Sequence, residues 1–159
     1  MELYFLRHGD AVTGESWKGK DGKRPLSAPG AALMEREAAA IARLCGRVDV
    51  ILCSPSLRAR QTAEIVVRKL GRRELLEVEE RLSPGFGVDE LAAILRERHG
   101  AGALLLVGHE PDFSKMIGQL IGGGDVEMKK AAVARVDCND ISPGSGVLQW
   151  LVTPKLLGA

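Results

Sequence analysis

The chain carries only three histidines, and two of them stand where an apolar run stops. Arg7, His8 and Gly9 follow "ELYFL", while Gly108, His109, Glu110 and Pro111 follow "ALLLV". A third apolar run, "VDVILC", stops at Ser54 and Pro55, with Arg58 one turn further along. Imidazole is a nucleophile and a proton carrier near neutral pH, and a guanidinium presents a planar fork of donors matched to an oxyanion. Each residue alone has a plainer explanation: a hydrogen-bonding histidine at a strand end, or a solvated arginine early in a helix. Two histidines and two arginines at the ends of three apolar runs together describe a shared anion site. The free N–H groups of a nearby helix start suit a dianion such as phosphate.

For those ends to meet, the runs must be strands of one sheet. Apolar runs alternate with helical ones: "ELYFL" precedes "APGAALMEREAAAIARLC", "VDVILC" precedes "SLRARQTAEIVVRKL", and "GALLLVG" precedes "PDFSKMIGQLIG". This order predicts an α/β fold, a three-layer α/β/α sandwich around a mostly parallel sheet whose ligands sit beyond the carboxyl ends of the strands. "VDVILC" and "ALLLV" are near-continuous apolar runs and are expected at the centre. A further helix is expected in "GVDELAAILRERHG", with His99 as a structural residue of its last turn. "AAVARVDC" and "GVLQWLV" read as an antiparallel hairpin at the sheet edge. Ser54 is the expected N-cap of the helix after "VDVILC", with Pro55 at its first position. Successive strand residues point to opposite faces, so Arg7 and His8 share a site only if the strand ends between them or the chain turns; Gly9 permits a turn there.

"VTGESWKGKDGKRPLSAPG", residues 12–30 with a Lys-rich part at 13–24, is the longest irregular segment, a candidate lid or substrate-contact loop. Trp17 with Lys18, Lys20, Lys23 and Arg24 makes either a basic rim or a solvated lysine-rich loop. The 159 residues are the length of one ordinary domain, taken as residues 1–159. With 45% hydrophobic and 27% charged residues and a formal charge of +1, the chain has no general attraction to nucleic acid or an anionic membrane. No apolar run approaches the roughly 20 residues of a membrane span, and the first residues do not read as a signal peptide, so a cytoplasmic protein is expected. Cys45, Cys53 and Cys138 are odd in number and lack a CxxC pair, which points to free thiols rather than a disulfide framework or a zinc site.

"RHG", "SPSLRARQTAE" and "VGHEP", in that order, together with "RPLSAPG", "LSPG" and "LQWLVTP", resemble the histidine phosphatase superfamily, the phosphoglycerate-mutase-like fold. Within it the likeness is to the SixA-type phosphohistidine phosphatases. The resemblance implies a metal-independent phosphatase without a cofactor, in which His8 becomes transiently phosphorylated. Arg7, Arg58 and a protonated His109 would hold the phosphoryl oxygens, with Gly9, Asp10 and Arg24 as further substrate contacts. The implied substrate is phosphohistidine on a phosphorelay or phosphotransfer protein. A small phosphate ester is the alternative, and a non-catalytic phosphate-recognition module is a second. Relatives that cleave alkyl phosphates carry a Glu or Asp beyond mid-chain to protonate the leaving oxygen. Here "ERLSPG" offers Glu80, with Asp10 and Glu110 as substitutes. Phosphohistidine, protonated on its ring, leaves as neutral imidazole without such an acid.

Overall fold

The computed structural model describes residues 1–157, so the last two residues of the 1–159 domain expectation lie outside the described residues. In chain order the elements are β1 (Glu2–Arg7), α1 (Ala28–Cys45), β2 (Val50–Cys53), α2 (Leu57–Leu70), β3 (Leu76–Val78), α3 (Val88–Glu97), β4 (Ala103–Gly108), α4 (Asp112–Leu120), β5 (Val133–Cys138), β6 (Gly146–Val152) and α5 (Pro154–Leu157). The strands form one sheet in the order β3-β2-β4-β1-β5-β6. The first four are parallel, while β5 runs antiparallel to β1 and β6 antiparallel to β5. This is the expected mostly parallel sheet with an antiparallel edge.

Side chains alternate across the sheet as its pleat requires. Tyr4, Leu6, Ile51 and Leu105 face Met34, Ala38 and Ile41 of α1 and Ala63 and Val66 of α2. Leu3, Phe5, Leu52 and Leu106 face Leu91 and Ile94 of α3 and Phe113 and Met116 of α4. The helices therefore cover both faces. Cys45, Cys53 and Cys138 are buried, free thiols within these layers. No helix among the described residues is long and apolar enough to cross a membrane.

Four details differ from the sequence reading. β3 was not anticipated: three residues, of which only Leu76 is partly covered, carry no readable period, yet they place β2 one strand in from the edge. The helix after β2 begins at Leu57 with Ser56 as N-cap, not at Ser54, because Ser54 is fully buried and its hydroxyl is used elsewhere. Gly9 does not need a left-handed turn; a Cβ there would come within 2.8 Å of the Met34 Cγ on α1. His99 lies beyond the end of α3, exposed, rather than in its last turn.

The register explains where the site forms. Arg7 of β1 pairs with Gly108 of β4, and Cys53 of β2 pairs with Val107. The three strands end on one line, so the residues just past it, His8, Ser54 and His109, are brought together.

Candidate active site

A cleft of about 220 Å³ opens at this line, bordered by Arg7, His8, Ala11, Arg24, Arg58, Pro84, His109, Glu110 and Lys130. The strand ends at Arg7, so Arg7 and His8 escape the alternation of the pleat and both line the cleft. The two imidazoles meet edge to face, 5.2 Å between centroids.

His8 is fixed in one tautomer. Its Nδ1 lies 2.7 Å from the Gly9 carbonyl, which can only accept, so Nδ1 carries the proton and Nε2 holds the lone pair. Arg58 Nε donates to that Nε2 at 3.2 Å. Burial, followed by the Arg58, Arg7 and Arg24 charges, pushes the His8 pKa down to about 4, so the ring is neutral at pH 7. A neutral imidazole with an unprotonated Nε2 is the nucleophilic form.

Arg58 is buried, and its carbonyl accepts from Thr62 Oγ1 at 2.8 Å, one helical turn on. The same Thr62 oxygen accepts from Gly9 N at 3.1 Å, which ties α2 to the chain directly after His8. The terminal nitrogens of Arg58 both go to Asp21, Nη1 to the carbonyl and Nη2 to Oδ2, each at 3.0 Å. Arg7 donates through Nη1 to the Met128 carbonyl at 2.7 Å, and its buried Nε–H has no partner among the described residues. His109 places Nε2 2.8 Å from Ser54 Oγ and 3.1 Å from Ser56 Oγ. Burial first, then His8 and Arg58, lowers the His109 pKa to about 3. That setting favours the neutral imidazole, and the protonated form the resemblance implies requires an anion beside the ring.

The carboxylates are already engaged. Asp10 pairs with Lys130 and accepts from Ser27 Oγ at 2.8 Å; the Lys130 contact leads in holding its pKa below the ordinary range. Asp21 is lowered as well, because Arg58 and Arg24 outweigh the upward effect of its burial. Glu110 accepts from the backbone N–H of Ser114 and from its hydroxyl. Glu80 is exposed and does not border the cleft.

The structure therefore gathers Arg7, His8, Arg24, Arg58, His109 and Glu110 around one cleft, while Gly9 and Asp10, next in the chain, do not border it. Sequence reasoning missed Asp21, Ser54 as a partner of His109, Ser56, Thr62 and Lys130. Thr62 carried a signal, standing four residues after Arg58 on the same helix face. Lys130 carried none, since its approach depends on the loop that precedes β5. A larger groove of about 540 Å³ between α1 and α2 is lined by Glu35, Gln61, Glu64 and Arg68 among others. It contains no histidine or cysteine, so the chemistry belongs to the smaller cleft.

Comparison with known proteins agrees with this geometry. The profile of the histidine phosphatase superfamily (branch 1) matches residues 3–99. An uncharacterized protein of Picosynechococcus sp. is 36% identical over 84% of this chain and 82% of its own length. The phosphohistidine phosphatase SixA of Escherichia coli is 28% identical over 97% of this chain and 94% of its own. The solved structure of the protein histidine phosphatase SixA complexed with tungstate superposes with a TM-score of 0.84 at 27% identity, covering 98% of both chains. The matched profile spans the strand-end His8 and Arg58 that build the cleft, and the chain belongs to the histidine phosphatase superfamily as a SixA-type phosphatase.

Proposed function

We propose that the protein is a phosphohistidine phosphatase in which His8 takes the phosphoryl group on Nε2 and passes it to water. The observation that carries the reading is the state of His8: Nδ1–H is committed to the Gly9 carbonyl, and the Nε2 lone pair faces Arg58. In the first step a bond forms from Nε2 to phosphorus while the substrate's P–N bond breaks, its electron pair returning to the leaving ring. In the second, water attacks phosphorus and the electron pair returns to Nε2, releasing inorganic phosphate. The Nε–H edge of Arg58, the unpartnered Nε–H of Arg7 and the His109 ring are the donors for the equatorial oxygens, where transition-state charge spreads. A phosphoryl dianion between the two rings favours protonation of His109, against the effect of its burial.

The carboxylates support phosphohistidine over an alkyl ester. An alkoxide leaving group needs a proton, yet Asp10 and Asp21 are held ionised and Glu110 is already an acceptor. The likeness to the Escherichia coli phosphohistidine phosphatase supports the same substrate class, and tungstate in the related SixA structure is a tetrahedral oxyanion like phosphate. The small cleft admits a single phosphorylated side chain, and the exposed Lys18, Lys20 and Lys23 lie along the loop beside it, so the substrate is a phosphorylated protein with acidic groups around its phosphohistidine.

Rapid-quench labelling with a ³²P-phosphohistidine protein tests the mechanism. Label is expected to appear on the wild type, chase into phosphate, and be absent from His8→Ala. Equal phosphate release by both proteins removes His8 as the nucleophile. Fast turnover of alkyl phosphates with inert phosphohistidine protein moves the substrate to a small ester.

A further inference from the structure

Arg58 has five N–H donors arranged as two forks of one rigid plane. Asp21 occupies the outer fork from two directions, its backbone carbonyl on Nη1 and its carboxylate on Nη2. The other edge, carrying Nε–H, is aimed at His8 Nε2, the atom where phosphorus is received. A guanidinium held by one edge can turn about its side-chain torsions only by breaking both Asp21 bonds. Arg58 itself is 4% exposed, whereas the Asp21 side chain is 63% exposed and belongs to the 13–24 loop.

That loop is tied down by more than Asp21. Ala11 and Leu26 pair across its base, Val12 N donates to the Pro25 carbonyl at 3.0 Å, and Arg24 Nη1 donates to the Val12 carbonyl at 3.0 Å. Arg24 also bonds Asp21 Oδ1 through Nε at 2.9 Å, leaving Oδ2 for Arg58. One carboxylate is thus shared between two arginines, each oxygen assigned to one.

We propose that Asp21 is a positioning residue of the phosphatase reaction, which acts through Arg58 by holding its outer edge so that the inner edge meets the phosphoryl group at His8. The inference rests on the reading of His8 as nucleophile and Arg58 as a phosphoryl-holding group. It also gives the 13–24 loop a definite part: its docked conformation and the alignment of Arg58 are one state. Arg24 serves Asp21 here, in addition to bordering the cleft.

A double-mutant cycle separates this role from a general structural one. Turnover of phosphoimidazole and of para-nitrophenyl phosphate is measured for wild type, Asp21→Ala, Arg58→Ala and the double variant. Asp21→Ala is expected to lower kcat roughly 10- to 100-fold with KM changed much less, as misaligned catalytic groups do. In the Arg58→Ala background the same substitution is expected to change kcat by less than about 2-fold, because the group it positions is gone. Asp21→Glu should recover part of the loss. Should Arg58→Ala fail to fold, Arg58→Lys serves as the background, since an ammonium cannot present two forks. An equal loss in both backgrounds, or no loss in the wild type, overturns the proposal. The underlying reading fails separately, when His8→Ala retains wild-type turnover of both substrates.

Discussion

His8 and His109 are kept neutral by burial beside arginines, and this has consequences for both activity and stability. The His8 pKa is pushed down to about 4 against an ordinary value of 6.5. As pH falls below 6.5 the unfolded chain takes up the proton first, so folded-state stability is present above 6.5 and is lost progressively down to about 4. The loss from His8 alone is on the order of 3 kcal/mol. Urea unfolding of wild type and His8→Gln at pH 7 and pH 4.5 checks this: the wild type should lose more stability on acidification than the variant, and parallel losses would contradict it. The acid limb of kcat/KM, corrected for substrate ionisation, should fall near pH 4 rather than near 6.5. Asp10 supplies a second test. Tied to Lys130 and Ser27 and held ionised, it cannot serve as the general acid, so Asp10→Asn should lower kcat on an alkyl phosphate, whose leaving group needs a proton, by less than about 5-fold, where loss of an acid typically costs 10²- to 10⁴-fold.

At the scale of elements, the site depends on how closely α1 approaches the chain after β1. Ser27 caps α1 by accepting from Gly30 N at 3.0 Å, and its own N–H donates to the Asp10 carbonyl at 3.0 Å. A Cβ at Gly30 would lie 2.1 Å from that carbonyl oxygen, and a backbone atom cannot yield as a flexible side chain does. Gly30→Ala should therefore destabilise the fold by about 1–3 kcal/mol and lower activity as well, because Asp10 and the base of the 13–24 loop must shift. A denaturation midpoint unchanged from wild type would show the approach to be looser than described. Sequence pattern made α1 legible from end to end, since a Ser cap, a Pro in the first turn and a Gly at position 46 mark both ends of an amphipathic run. The same logic failed after β2: "SPS" offers two serines as caps, yet both hydroxyls meet the His109 imidazole and the helix opens at Ser56 without a side-chain cap bond, an outcome set by the tertiary position of His109. His8, Arg58 and His109 were legible because the parallel order of strands puts run ends together. Asp21 and Lys130 were not, because they arrive on irregular segments whose course no period encodes.

At the scale of the whole molecule, charge is distributed unevenly although the formal sum is only +1. Most carboxylates near the cleft are neutralised locally: Asp21 by Arg58 and Arg24, Asp10 by Lys130. Lys18, Lys20 and Lys23 are exposed, and none makes an ion pair among the described residues; with Glu15 the one exposed carboxylate of the loop outside an ion pair, the 13–24 loop presents net positive charge beside the site. Exposed charges of this kind act on encounter rather than on the chemical step, and salt screens them with a Debye length of about 10 Å at 0.1 M ionic strength. A phosphoprotein with an acidic surface should feel the loop, whereas phosphoimidazole, which needs only the cleft, should not. Replacing all three lysines by glutamine should lower kcat/KM for phosphohistidine protein by about 10-fold at low salt and flatten its salt dependence. The same variant should turn over phosphoimidazole within about 2-fold of wild type. Parallel losses on both substrates would place the lysines in loop folding, through the Asp21 anchor, and equal wild-type rates on both would remove electrostatic docking from the account of how this phosphatase meets its partner.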